Sequence, residues 1–114
     1  MEIVGKKILE KLKRKNKGNI PLVSEIDDLI KTLEENEFKN QLEIVKIRPD
    51  ADCVHNDGFC FFNINVHRTL ILIEFEENGE ATIVWCGSHD EYEKTFKNNK
   101  NTIRKWLKDK EWIN

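Results

Sequence analysis

Apolar residues recur at helical spacing near both ends of the chain and gather into short extended runs between them. Ile3, Val4, Ile8, Leu9 and Leu12 predict an amphipathic helix over residues 2–16. Lys17-Gly18-Asn19 ends it, with Pro21 just beyond. A second helix is predicted over residues 25–36, with Ile26, Leu29, Ile30 and Leu33 as its apolar stripe. Ser24 is its expected cap, and Asp27 three residues later resembles a capping box. Its other face, with Asp27, Asp28, Glu34 and Glu35, reads as solvated surface. Leu42, Ile44, Val45 and Ile47 fit a short helix or an edge strand, which Pro49 stops. Asp50 to Gly58 reads as a polar loop.

Beyond that loop the pattern changes. Phe59 to Val66 and Thr69 to Phe75 are rich in aromatic and β-branched residues and read as strands. Glu76-Glu77-Asn78-Gly79 carries the Asn-Gly hairpin signal, and Glu80 to Cys86 is the next strand. Gly87 breaks the run. Ser88 and Glu91 form a capping-box pattern, so a helix starts near His89 and includes Tyr92 and Phe96. Ile103, Trp106 and Leu107 predict a terminal helix within residues 101–114, either packed on the sheet or serving as a partner-binding arm with Trp112. These elements imply a single α+β domain over residues 1–114. Two N-terminal helices pack on an antiparallel sheet of three to five strands, and a helix closes the chain. The expected core joins Ile8, Leu12, Ile26, Leu29, Ile30 and Leu33 to Phe61, Leu70, Leu72 and Ile83.

Composition narrows the class. Hydrophobic residues make up 39% and charged residues 35%, which fits a globular chain and not a disordered one. No apolar run reaches the length of a membrane span. Met1 to Lys7 lacks the apolar segment of a signal peptide, so a cytoplasmic location with no membrane contact is expected. Cys53, Cys60 and Cys86 are odd in number and include no CxxC pair, which predicts unpaired thiols. Cys53, His55 and Cys60 lack the paired ligand spacing of a zinc site, so no metal is expected.

The net charge of −2 conceals segregation. Residues 1–17 hold seven Lys or Arg against Glu2 and Glu10, and residues 94–114 hold seven against Asp109 and Glu111. The middle of the chain is strongly acidic. Two basic ends could form one patch for a polyanion, or they could be two solvated helix faces.

No phosphate loop, dinucleotide fingerprint, HExxH or GxSxG is present, so no cofactor is expected. What remains is polar groups at strand and helix ends. His89 and Tyr92 share one helix face, and Arg68 opens the central strand beside His67. A His can act as acid or base near neutral pH. An Arg fork matches a phosphate and its transition state. A Tyr can donate a hydrogen bond or stack on a base. That set suits metal-free RNA cleavage, although a His at a helix start is more often a solvated or capping residue.

Three stretches carry a family resemblance: Phe61-Phe62-Asn63-Ile64, His67-Arg68-Thr69-Leu70-Ile71-Leu72-Ile73-Glu74-Phe75 and Ile83-Val84-Trp85-Cys86-Gly87-Ser88-His89-Asp90-Glu91-Tyr92-Glu93. Together they resemble the HigB branch of the RelE toxin superfamily. Ser88 stands where that family usually has Thr, and Glu93 where it usually has Asp. The opening Met1 to Lys7 and the helix ending near Glu37-Phe38 are similar too. The likeness spans residues 1–97, which leaves residues 98–114 as a C-terminal helical extension. It implies a RelE-like fold and an endoribonuclease acting on mRNA, usually on the ribosome. It also implies a cognate antitoxin with a helix-turn-helix. Arg68, His89 and Tyr92 fall on the family's functional positions as phosphate stabiliser, acid or base, and positioning or proton-donating group. His67, Lys94 and Lys97 are expected to contact RNA. The alternative is a non-catalytic member that binds RNA or protein. An open cleft holding the three residues favours catalysis, and a closed ion pair of Arg68 with Glu74 or Asp90 favours the alternative.

Overall fold

A computed structural model describes residues 1–114. In chain order the elements are β1 (Glu2–Val4), α1 (Lys6–Lys15), α2 (Ile20–Glu34), α3 (Gln41–Ile47), β2 (Asp52–His55), β3 (Phe59–Ile64), β4 (His67–Ile73), β5 (Glu80–Ser88), α4 (His89–Phe96) and α5 (Lys100–Asp109). The five strands form one sheet in the order β1-β5-β4-β3-β2. β2 to β5 form an antiparallel meander. β1 adds in parallel along the far edge of β5, with Ile3 opposite Ala81.

The two tight connections follow from residue chemistry. β3 and β4 are joined by Asn65 and Val66, and Asn65 takes φ 60°, a conformation Asn tolerates better than most residues. Asn78 takes the same value in the β4–β5 turn, with Gly79 after it. Between β1 and α1 the chain reverses at Gly5, whose φ of 80° suits a residue without Cβ.

Helices cover both faces of the sheet, and side-chain alternation divides the core in two. Cys60, Phe62, Ile64, Ile71 and Ile73 face α1, α2 and α3, where Leu9, Ile26, Leu29, Leu33 and Ile44 meet them. Phe59, Phe61 and Leu70 face the other way, onto Tyr92 and Phe96 of α4 and Ile103 and Leu107 of α5. A bulge sits in β5. Leu70 pairs with Trp85 but Ile71 pairs with Ile83, so Val84 has no opposite residue. Val84 and Trp85 therefore both join the second core. That core is aromatic. Phe61 meets Tyr92 and Phe96 edge to face at 5.0 and 5.2 Å, and Trp85 meets Phe96 at 5.0 Å.

The α+β class and the meander agree with the sequence reading, and several details differ. Residues 2–4 are not the start of the first helix but an edge strand, which makes the sheet mixed. Parallel pairing with β5 and the turn at Gly5 override the helical spacing of Ile3 and Val4. The second helix begins at Ile20, with Asn19 as its cap and Pro21 in its first turn, so Ser24 and Asp27 lie inside it. Leu42 to Ile47 is helical, capped by Asn40. The edge strand lies instead in the segment read as loop, at Asp52–His55.

The core assignment also divides. Phe61, Leu70 and Leu72 pack under α4 and α5 and not against the N-terminal helices. Ile8 is 39% exposed. Cys53 and Cys60 are direct cross-strand partners and form a disulfide, which leaves Cys86 as the one free thiol and corrects the expectation of three. The basic ends do not merge. α1 packs beside β5 on one face, while α5 packs across β2, at the opposite edge, on the other.

Phe62 is fully buried between sheet and helices. Phe62→Ala should cost about 3–5 kcal/mol in denaturant unfolding. Ile8→Ala should cost under about 1 kcal/mol, the range of surface changes.

Candidate active site

The site forms where β4 begins, β5 ends and α4 starts. Arg68 is the second residue of β4, with Asn63 of β3 and Gly87 of β5 as its cross-strand neighbours. Its guanidinium carbon lies 4.4 Å from the Tyr92 ring centroid and 5.3 Å from that of Phe61. Such stacking holds a cation without neutralising it. The Arg68 Nε–H donates to Asn63 Oδ1 at 3.0 Å. Asp52 Oδ2 is 4.0 Å from a terminal nitrogen, at the limit of an ion pair. Neither Glu74 nor Asp90 pairs with Arg68. Gly87 is bare by necessity, since a Cβ there would come within 2.7 Å of the Trp85 ring.

β5 runs directly into α4. Ser88 caps the helix: its Oγ accepts from the Glu91 N–H at 3.1 Å, and its own N–H donates to Glu91 Oε1 at 2.9 Å. Those bonds to Ser88 hold the Glu91 carboxyl below the usual range. His89 follows as the first helical residue, anchored by its N–H to the Val66 carbonyl at 3.0 Å. Its imidazole is 64% exposed, lies edge-on to Tyr92 at 5.9 Å, and has Glu93 4.0 Å from Nδ1.

Tyr92 is buried and donates its hydroxyl proton to Asn98 Oδ1 at 3.0 Å. Burial raises its pKa above the ordinary value, and Asp52 and Glu93 add to that while Arg68 opposes it. Asn98 reaches Tyr92 from a left-handed turn after α4, with φ 54° at Lys97 and 46° at Asn98.

Asn63 is fixed from below by a fork. Arg48 donates to Asp50 from Nε at 2.7 Å and Nη2 at 2.8 Å. Asp50 Oδ2 accepts the Asn63 N–H at 2.9 Å, and Arg48 Nη2 donates to the Asn63 carbonyl at 3.0 Å. Burial pushes the Asp50 pKa up, but the Arg48 and Asn63 hydrogen bonds outweigh it, and the group ends below its ordinary value.

Asn63, Arg68, His89, Tyr92, Glu93 and Asn98 line one open cavity of about 320 Å³. Arg68, His89 and Tyr92 therefore meet, as the sequence predicts. His67 does not join them. It points to the other sheet face, into a groove of about 560 Å³ with Lys11 and Lys15, and its Nδ1 is buried without a partner. Lys94 and Lys97 are exposed at α4 but do not line the cavity. Sequence reasoning missed Asn63 and Asn98 as site residues. Asn63 stands in the Phe-Asn-Ile run, which reads as a strand and carries part of the family resemblance, with no site role given to Asn63. Asn98 falls in the stretch read only as a C-terminal helical extension, residues 98–114.

Residues 23–95 match HigB_toxin, described as the RelE-like toxic component of a toxin–antitoxin system. The match covers well over half of the chain, and the chain belongs to that family. No curated protein matches it. Membership implies an antitoxin partner. No helix is long and apolar enough to cross a membrane.

Tyr92 is the single tyrosine, so its titration can be read directly. In the folded protein the tyrosinate absorbance should reach its midpoint above pH 10.0, the unperturbed value. Folding favours the protonated phenol, so its contribution to stability is complete below pH 10.0 and falls as pH rises through the folded-state value. A midpoint at or below pH 10.0 in native protein would contradict the burial described here.

Proposed function

We propose that this toxin is an endoribonuclease that cleaves mRNA in the cytoplasm, on the ribosome, without a metal, and so blocks translation and growth. The observation that carries the reading is the shared cavity of Arg68, His89 and Tyr92. A 2′-oxygen attacks the adjacent phosphorus, its proton leaves to a base, and the departing 5′-oxygen takes a proton from an acid. The other product is a cyclic phosphate. His89 is exposed within the cavity and supplies the acid or base. Arg68, pinned by Asn63 and the two rings, stabilises the pentacoordinate phosphorus. Tyr92 holds Arg68 through its ring, and its protonated hydroxyl positions the substrate or donates a proton. The ring that faces Arg68 cannot also stack on a base from that side.

His67, Lys94 and Lys97 contact flanking phosphates. The groove under His67 and the outer face of α4 lie on either side of the sheet end, so bound RNA runs past both. The antitoxin carries a helix-turn-helix and blocks the toxin. The working unit is the whole domain, residues 1–114, because Ile103 and Leu107 of α5 complete the core beneath Tyr92.

A non-catalytic binding member is the second reading, favoured by Asp52 lying 4.0 Å from Arg68. Induced expression separates the two. The wild-type chain should arrest growth and fragment mRNA. His89→Ala should reduce cleavage by about 10²–10⁴-fold, the usual range for a lost acid or base. Arg68→Lys should also fail, since an ammonium cannot reproduce the guanidinium fork. Normal growth with intact mRNA, at confirmed soluble expression, would move the assignment to the second reading.

A further inference from the structure

We propose that Asn63 and Asn98 read the base of the nucleotide held in the cavity. The inference rests on the RNA reading of that cavity and adds what selects the substrate. Both carboxamides line the cavity, and each has already committed its oxygen. Asn63 Oδ1 accepts from Arg68 Nε, and Asn98 Oδ1 accepts from the Tyr92 hydroxyl. A carboxamide has one carbonyl oxygen and one NH₂ with two donors. With the oxygens engaged inward, the NH₂ groups remain, and neither donates to any group of the protein. Two donor groups therefore border a cavity of nucleotide size. An amide is neither acid nor base at neutral pH, so they add nothing to proton transfer. What they can do is tell acceptors from donors on a base edge.

Both are also held more firmly than surface asparagines need to be. The Arg48–Asp50 fork grips the Asn63 peptide on its N–H and its carbonyl. Asn98 sits in two consecutive left-handed residues, neither of them glycine. Such backbone persists where the surroundings determine it, and it clusters at ligand sites. The base chemistry follows. Ring nitrogens and keto oxygens satisfy the NH₂ donors, whereas an exocyclic amino group facing them leaves two donors opposed. The cavity thus selects a base that turns an acceptor edge toward Asn98.

The competing role is a purely internal one, in which the amides only pin Arg68 and Tyr92. Asn→Asp separates the two. Asp keeps an oxygen for the Tyr92 hydroxyl or the Arg68 Nε and tolerates the left-handed turn, but it loses the NH₂ donors. The experiment uses short RNA oligonucleotides with a 2′-O-methyl group at the scissile position, so they bind without being cut. The base at that position is varied through all four. Affinities are measured by fluorescence anisotropy for the wild-type chain, Asn98→Asp and Asn63→Asp, with unmodified oligonucleotides cleaved in parallel.

The wild type should separate its best and worst base by about tenfold. Asn98→Asp should lower affinity for all, because it adds a negative charge, and should also move the ranking toward bases with an exocyclic amino group. An unchanged ranking in both variants, or no ranking in the wild type, would overturn the proposal. A wild type that ranks the bases but neither cuts the oligonucleotides nor fragments mRNA when expressed in cells would defeat the ribonuclease reading and leave the base reading standing. A wild type that cuts with a flat base profile would defeat only the base reading.

Discussion

β4 is paired on both edges, so its residues can point only up or down, and that constraint organises the molecule. Ile71 and Ile73 point to one layer of helices, and Leu70 points to the other. The same alternation, carried to the start of the strand, sends His67 to one face and Arg68 to the other. Arg68 then lies above Phe61, its diagonal neighbour on β3, and against Tyr92 from α4. Slipping the β3–β4 register by one residue would exchange the cores and dissolve the site together. The two-residue turn at Asn65-Val66 guards against that slip.

A cation that is 84% covered normally needs an anion beside it, since Arg68 shows only 16% of its side chain to solvent. Here rings and a carboxamide oxygen take most of that role, with Asp52 at arm's length. The arrangement leaves the guanidinium's charge largely unspent and facing the cavity. The aromatic second core is thus a stability device and an electrostatic one, because its ring faces meet the charge. Around it the polar supports are layered outward: Asn63 is held by Arg48 and Asp50, and Tyr92 by Asn98.

Local signals made the second half of the chain legible. The strand runs, the Asn-Gly turn and the Ser88–Glu91 box each depend on neighbours in sequence, and each agrees with the structure. The shared position of Arg68, His89 and Tyr92 follows from the same local order, since strand and helix periodicity fix which way each projects. The errors lie where a distant partner decides. Glu2–Val4 is a strand only because Glu80 to Thr82 offers a free edge, and Asp52–His55 only because β3 does. Cys53 and Cys60 meet through that same register, which spacing alone does not disclose. Leu70 and Leu72 were assigned to the wrong layer because alternation shows that two faces exist but not which helices cover each. Asn98 was hidden more completely, because its place depends on a left-handed turn that nothing in its neighbours specifies.

The pairing of β1 with β5 joins residues almost eighty positions apart, Glu2 with Glu80. Closing a loop of that length comes late and slowly compared with the local hairpins. On a ribosome making this chain from its N-terminus, residues 2–4 wait for β5 to emerge, and β5 leads straight into His89 and Tyr92. The sheet edge and the site are therefore completed by the same stretch of chain. A nascent or truncated product that ends before it has neither a finished sheet nor a finished cavity. Synthesis itself thus delays the appearance of the toxin's working surface until most of the polypeptide exists.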